Sequence, residues 1–193
     1  MKRQSHALLV TIVAVLGFHG CTKTTSDTTP STDTTGTTGA TASTTTDDYL
    51  IARVEPTAGN TARGEVRFTK VDGGVRVTAS FEGLPPGTHG FHLHETGDCS
   101  APDAASAGAH YNPAGAPHGS PDAASAGRHM GDLGNVEAGA DGRATYERVD
   151  NVLVYDNLKG LAVLVHASAD DLTSQPSGNA GARIGCGVVR END

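Results

Sequence analysis

Apolar and polar residues alternate along most of the chain after residue 48, with the two-residue period of β-strands. The alternation is clearest at 63–71 and 75–82, which are joined by the turn Asp72-Gly73-Gly74. They predict a hairpin in which Val66 and Phe68 pair with Val75, Val77, Ala79 and Phe81. Further strands are predicted at 49–56, 89–95, 131–137, 143–150, 160–166 and 183–190. Eight short strands without a convincing helix predict an all-β fold, an antiparallel sandwich or barrel.

Two long connections, 96–130 and 167–182, interrupt the strand pattern. Loops of this length are uncommon and are usually functional or disordered. The first contains a repeat, because the sequence Pro-Asp-Ala-Ala-Ser-Ala-Gly occurs at 102–108 and again at 121–127. Each copy is followed two residues later by a histidine. Metal binding would hold such a polar loop in one shape, since binding free energy then becomes folding free energy.

The N-terminal part differs in composition from the rest. Lys2 and Arg3 precede an apolar stretch that ends at Gly20-Cys21 and is too short to span a bilayer, so residues 1–20 are interpreted as an export signal. The pattern resembles a bacterial lipoprotein signal, in which Cys21 becomes the lipidated N-terminus; plain secretion is the alternative. Residues 22–47 contain Thr at 14 positions, so 21–47 is predicted to be a flexible linker. The folded domain is predicted at 48–193.

The charge balance excludes some partners. The chain has a formal net charge of -8, and removing Lys2 and Arg3 with the signal gives -8 - 2 = -10. An acidic chain without a basic stripe argues against nucleic acid. It also repels anionic substrates unless one local site is positive.

Three cysteines are present. Cys21 belongs to the export signal, which leaves Cys99 and Cys186 as a natural pair in an oxidising compartment. Their disulfide would close a long loop and contribute on the order of 4 kcal/mol. Two unpaired buried thiols are the alternative.

Seven histidines lie between His89 and His166, and six of them, with one aspartate, have the spacing that two adjacent metal ions require. His92 and His94 are two residues apart, so on a strand they point to the same side. Imidazole suits copper and zinc, and an added carboxylate favours zinc. The remaining candidate ligands are His110, His118, His129, Asp132 and His166.

Several motifs in order resemble the copper,zinc superoxide dismutase family over essentially all of 49–193. They begin with Gly90-Phe91-His92-Leu93-His94 and Gly108-Ala109-His110-Tyr111-Asn112-Pro113. Next come residues 128–136 (RHMGDLGNV), 169–172 (ADDL) and 178–188 (GNAGARIGCGV). The resemblance implies an eight-stranded antiparallel Greek-key β-sandwich or barrel of immunoglobulin-like architecture, with two long functional loops.

The resemblance also implies one copper ion and one zinc ion per subunit. The implied copper ligands are His92, His94, His110 and His166, and the implied zinc ligands are His110, His118, His129 and Asp132. His110 would bridge both ions as an imidazolate and take a proton during catalysis, and Arg183 would dock superoxide. Asp170 would link a copper-side histidine to a zinc-side one, Cys99 and Cys186 would form the family's disulfide, and His89 would be structural.

The expected activity is dismutation of superoxide to oxygen and hydrogen peroxide. Its expected place is the bacterial cell envelope, in the periplasm or at the outer membrane, with the membrane reached only through the N-terminal lipid. A non-catalytic copper- or zinc-binding envelope protein on the same fold is the alternative.

Two departures from the family pattern affect these expectations. The second long loop is short and lacks a lysine that helps to attract superoxide in many relatives, so slower and less salt-sensitive turnover is expected. The chain ends with the charged segment 190–193, where eukaryotic relatives have an apolar dimer contact. An oligomer is therefore left open.

Overall fold

The computed structural model describes residues 48–192, which fold as eight antiparallel strands. The predicted signal at 1–20, Cys21 and the predicted linker lie outside the described residues, as does Asp193. The strands are β1 (Tyr49–Pro56), β2 (Arg63–Val71), β3 (Gly74–Glu82), β4 (Gly87–His94), β5 (Asp132–Ala138), β6 (Ala144–Asp150), β7 (Ala162–His166) and β8 (Arg183–Glu191). Three single-turn 3₁₀ helices complete the described elements, and no helix among them is long and apolar enough to cross a membrane.

The strands form one nearly closed sheet in the order β5-β4-β7-β8-β1-β2-β3-β6. The chain builds β1, β2 and β3 as neighbours and then crosses to β4, which pairs with β5 and β7. Strand β6 returns to pair with β3, and the two end strands, β5 and β6, approach each other. This arrangement confirms the predicted all-β antiparallel barrel or sandwich.

The predicted hairpin is also confirmed. Val66 pairs with Ala79 and Phe68 pairs with Val77, and all four side chains are buried in the core. Gly74 already pairs with Val71, so the turn consists of Asp72 and Gly73 alone. The other predicted strands agree with the observed ones to within two residues. The largest differences are at two strand starts: β4 begins at Gly87 rather than at 89, and β7 begins at Ala162 rather than at 160 because its approach is a turn that follows a 3₁₀ helix.

Strand β4 has both of its faces buried, and this determines where the candidate site lies. Phe91 and Leu93 point into the apolar core, where the Phe91 ring makes edge contacts with Phe81 and Tyr146. His92 and His94 alternate with them and therefore point out of the barrel. They are nevertheless only 0% and 1% exposed. The two long connections, 95–131 and 167–182, cover this outer face.

Candidate metal centre

The register of four strands brings the candidate residues together on the outer face of the barrel. Asp132, the first residue of β5, pairs with His92 in β4. His166, the last residue of β7, pairs with Arg183, the first residue of β8. A single bridge ties His110 of the first long loop to His94. Residues that are far apart in the sequence thus meet where the ends of β4, β7 and β8 lie under the first loop.

Four buried histidines form the first group. Their closest ring nitrogens all lie within 4.8 Å of one another, and the members are His92, His94, His110 and His166.

Hydrogen bonds fix the orientation of three of these rings. His94 Nδ1 lies 3.0 Å from the carbonyl oxygen of Gly108, and His166 Nδ1 lies 3.1 Å from that of Gly181. His92 Nε2 lies 2.8 Å from Asp170 Oδ2. Because a carbonyl or carboxylate oxygen only accepts, each of these ring nitrogens must carry the proton.

The other nitrogen of each ring is buried and has no hydrogen-bond partner, and these atoms are His92 Nδ1, His94 Nε2 and His166 Nε2. With the proton on the opposite nitrogen, each carries a free lone pair. Leaving such atoms buried and unpaired is costly, so their convergence fits a metal ion better than it fits a packed core.

Burial also keeps these rings neutral. It lowers the pKa of His92 to about 4, that of His94 to about 2 and that of His166 to about 3, because removing an imidazolium from water is unfavourable. At neutral pH the lone pairs are therefore available for coordination. A set of neutral imidazoles is a donor set that suits copper.

The second group combines three histidines with one carboxylate, and its donor atoms also lie within 4.8 Å of one another. Asp132 Oδ1 lies 2.8 Å from His110 Nδ1, 3.0 Å from His118 Nδ1 and 3.2 Å from His129 Nδ1. The 3.0 Å contact has no hydrogen-bonding alignment, and His118 Nδ1 remains unpaired. One carboxylate and three imidazoles are the number and type of ligands that close a tetrahedral zinc site.

Charge in the second group differs from that in the first. Burial opposes ionisation of Asp132, but His110 and His118 hold the pKa of this carboxyl well below its usual range. Burial alone would lower the pKa of the His118 ring, but its contacts with Asp132 and Asp170 raise this pKa to about 9. The anionic side chains therefore favour a positive charge here, which a bound cation can supply in place of a proton.

His110 belongs to both groups. Its Nδ1 faces Asp132 and lies 3.4 Å from His129 Nδ1. Its Nε2 is buried without a partner, and its ring lies 4.0 Å from that of His92 between centroids. One imidazole therefore presents one nitrogen to each group, which is the placement that a bridging ligand would need.

Asp170 connects the two groups from the second long loop. Its Oδ2 lies 2.8 Å from His92 Nε2, and its Oδ1 lies 2.9 Å from His118 Nε2. Gly178 packs against this contact with φ +66°, and a Cβ there would overlap Asp170 Oδ1. The loop thus needs glycine at this position, since any larger residue would separate Asp170 from His118.

Two amide side chains hold this arrangement, and the sequence analysis did not assign a role to either. Asn135 accepts a hydrogen bond from the Asp170 N–H and donates one to its carbonyl oxygen. Gln175 makes the same paired contact with the backbone of His118. Such amide–backbone pairs leave no pattern in a single sequence.

Arg183 reaches back to the first loop. Its Nη1 donates to the carbonyl oxygen of Ala104 and its Nη2 to that of Gly108, both at 2.6 Å. Gly108 O also contacts His94 Nδ1, so the guanidinium and a ring of the first group share one backbone anchor. The side chain is half-buried, which leaves a fixed positive charge beside the histidines.

The disulfide expected between Cys99 and Cys186 is present, with Cα atoms 5.8 Å apart. Cys186 packs in a small apolar cluster on the outer face with Leu164 and two alanines of the first loop, Ala104 and Ala107. The disulfide and this cluster together attach the loop to β7 and β8. They thereby position the carbonyl groups that hold Arg183.

His89 lies outside both groups, as the sequence analysis expected. It is buried, its Nδ1 lies 2.8 Å from the carbonyl oxygen of His166, and its Nε2 lies 2.7 Å from that of Pro85. Both ring nitrogens are occupied by backbone contacts. His89 therefore supports the backbone of His166 rather than offering a lone pair to a metal.

A buried ion pair holds the backbone segment that carries two members of the second group, His129 and Asp132. Arg128 is fully buried and contacts both carboxylate oxygens of Asp150, at 2.6 and 2.7 Å. It also donates to the carbonyl oxygens of His129, Met130 and Asp132. An arginine next to a histidine gives no sequence signal for this role, so the sequence analysis missed it.

Comparisons with known proteins agree with this geometry. The family model described as copper/zinc superoxide dismutase matches residues 62–189. The chain is 42% identical over 145 residues to a protein of Onchocerca volvulus named superoxide dismutase [Cu-Zn], a match that covers 68% of this chain and 90% of the relative. Among solved structures it is similar to one titled the crystal structure analysis of the clock protein EA4. That similarity has a TM-score of 0.64 at 39% identity and covers 75% of this chain and 95% of the other.

Proposed function

Because the chain belongs to the copper/zinc superoxide dismutase family and is an enzyme of that class, we propose that its paired histidine groups convert superoxide to oxygen and hydrogen peroxide. The observation that carries this proposal is the convergence of buried ring nitrogens whose lone pairs face one another. It is supported by the fixed cation of Arg183 beside them.

The first group, His92, His94, His110 and His166, would hold copper, and the second group, His110, His118, His129 and Asp132, would hold zinc. One ion of each kind per chain is expected. Copper supplies one-electron redox chemistry, and zinc supplies a fixed positive charge without redox chemistry. Asp170 hydrogen-bonds to the rings of His92 and His118, so it would hold one copper ligand and one zinc ligand in fixed orientations.

Arg183 docks the anionic substrate. A guanidinium stays charged at every physiological pH and donates in a fixed fork, so it attracts and orients a small anion. Its two backbone anchors, Ala104 O and Gly108 O, prevent the side chain from swinging away. In an acidic chain this local cation is the positive site that an anionic substrate requires.

His110 moves a proton. The reaction consumes two superoxide ions and two protons and yields one oxygen molecule and one hydrogen peroxide molecule. The Nε2 of His110 faces the first group without a partner, while its Nδ1 is held beside Asp132. We assign to Nε2 the uptake and delivery of one of these protons, and the other comes from solvent.

The setting proposed for this activity is antioxidant defence in the bacterial cell envelope, with a lipid on Cys21 as the only membrane attachment. The sequence of residues 1–47 suggests export, and the Cys99–Cys186 disulfide suits an oxidising compartment.

The two-metal assignment is tested by titrating the metal-free protein with copper and zinc. Metal analysis should give one copper and one zinc per chain. His94→Ala should weaken copper binding at least about tenfold and leave zinc bound, because His94 belongs to the first group alone. His129→Ala should do the reverse.

Each variant in this pair is the matched control of the other, because each removes one buried imidazole. Unchanged affinity for both metals in both variants would overturn the assignment, and so would an equal loss of affinity for both metals in each.

A further inference from the structure

A cavity of about 510 Å³ opens beside Arg183. Its wall is formed by three segments, near residues 57–60, 102–105 and 181–183. Gly181 in the last segment is also the residue whose carbonyl oxygen holds His166. An anion that reaches Arg183 through this cavity therefore arrives next to the first histidine group.

Two charged residues line this cavity, Arg183 and Asp103. The Asp103 carboxylate is exposed and accepts a hydrogen bond from the N–H of Ala105 at 3.0 Å. Ala104, the next residue after Asp103, adopts a φ of 56°, and its carbonyl oxygen accepts a hydrogen bond from Arg183 Nη1. The turn that orients the guanidinium thus also holds a carboxylate at the same opening.

The two charges interact. Burial lowers the pKa of Arg183, and the negative charge of Asp103 opposes this effect. Glu95, another acid near Gly108, is bound to the Ala109 N–H and does not line the cavity. Asp103 is therefore the acidic residue positioned to act on an anion that approaches Arg183.

The second copy of the repeat shows a different environment for the equivalent residue. Asp122 corresponds to Asp103, but Arg148 Nη1 lies 2.9 Å from its carboxylate. Among the ion pairs of residues 48–192, none includes Asp103. One copy thus holds an aspartate neutralised by an arginine, and the other holds an aspartate that lines the same cavity as Arg183, the cation proposed to dock the substrate.

We propose that the negative charge of Asp103 slows the capture of anions by Arg183. A positive and a negative charge at one opening present a dipole to an approaching anion, and the field of a dipole decays faster with distance than that of a lone cation. Asp103 therefore reduces both superoxide capture and the binding of competing small anions. The inference rests on the proposed function and identifies a residue that sets its rate.

Asp103→Asn tests this inference, because asparagine keeps the oxygen that accepts the Ala105 hydrogen bond and removes only the charge. In the protein loaded with copper and zinc, kcat/KM for superoxide at low ionic strength should rise about two- to threefold. The gain should shrink as salt is added, since screening removes the difference. The affinity of the copper(II) form for azide, read from its absorption spectrum, should increase by a similar factor.

Asp122→Asn is the matched control, because it removes the same charge at the equivalent repeat position. It should leave both kcat/KM for superoxide and the azide affinity of the copper(II) form unchanged. Equal gains in the two variants would show an effect of net charge and overturn the inference, as would no gain in Asp103→Asn. A wild-type protein that binds both metals without dismuting superoxide would instead refute the proposed function, and the azide titration would still decide the role of Asp103.

Discussion

Replacing Arg183 by alanine should lower kcat/KM for superoxide by about ten- to a hundredfold, with both metals retained. A charged hydrogen bond to a small anion contributes roughly 1.5–3 kcal/mol, and alanine removes both the charge and the donor fork. The histidines keep their own anchors, since Gly108 O and Gly181 O are backbone atoms. The measurement is superoxide decay after pulse radiolysis, together with metal analysis of each variant.

Arg190→Ala is the matched control for this change. Arg190 is an exposed arginine near the other end of the same strand, opposite Ile51 in β1, so its removal tests the loss of one charge without the loss of the docking site. It should leave kcat/KM within about twofold, since surface charges of this kind act weakly. The kcat/KM of Arg183→Lys should lie between those of Arg183→Ala and Arg190→Ala. Lysine keeps the positive charge, but an ammonium cannot reproduce the guanidinium fork that contacts both Ala104 O and Gly108 O. Unchanged turnover in Arg183→Ala would remove its assigned role.

Loss of the Cys99–Cys186 disulfide should lower the free energy of unfolding more than any other change proposed for this protein. The bridge closes a loop of sequence separation 87. The chain-entropy model assigns a loop of this length about 4.6 kcal/mol of unfolding free energy. Cys99→Ala together with Cys186→Ala should therefore lower the free energy of unfolding by about this amount in denaturant titrations. Alanine is preferred to serine because Cys186 packs in an apolar cluster with Leu164 and Ala104.

The wild-type protein under a strong reductant serves as the control for this double variant. Its free energy of unfolding should match that of the variant, because both lack the same cross-link. A loss below about 1 kcal/mol in both would contradict the expectation and would assign the attachment of the first loop to its apolar contacts alone.

The fold was largely predictable because its strands keep one face in the core. In β2 and β3 the two-residue period is regular, and Val66 and Ala79, two of the residues predicted to pack together in the hairpin, lie opposite each other. Strand β4 was recognisable for another reason, since its apolar residues alternate with histidines. The two-residue period does not predict the strand order, in which β6 pairs with β3 and β4 pairs with β7.

The candidate site was predictable in its members but only partly in the residues that support them. The histidines and Asp132 follow the spacing of the family motifs, and the structure brings them into two groups that share His110. Gln175, Asn135 and Arg128 were missed, because each acts through backbone atoms whose positions depend on the loop conformation.

The repeat in the first long loop illustrates why the loop conformation could not be predicted from the local sequence. Ala104 and Ala123 occupy equivalent positions, yet Ala104 has a φ of 56° while Ala123 does not have a positive φ. Identical local sequences thus adopt different backbones, because the first copy packs on Leu164 and Cys186 while the second has no buried residue in its 3₁₀ turn. Tertiary packing determined this difference, and no local pattern records it.

The activity proposed for this chain is dismutation of superoxide by a copper ion next to a zinc ion. The most direct test is superoxide decay catalysed by the oxidised protein loaded with one equivalent of each metal, with and without cyanide. Fast turnover that cyanide abolishes is the result expected for this activity. No turnover with both metals bound would contradict it and would favour a metal-binding protein on the same fold.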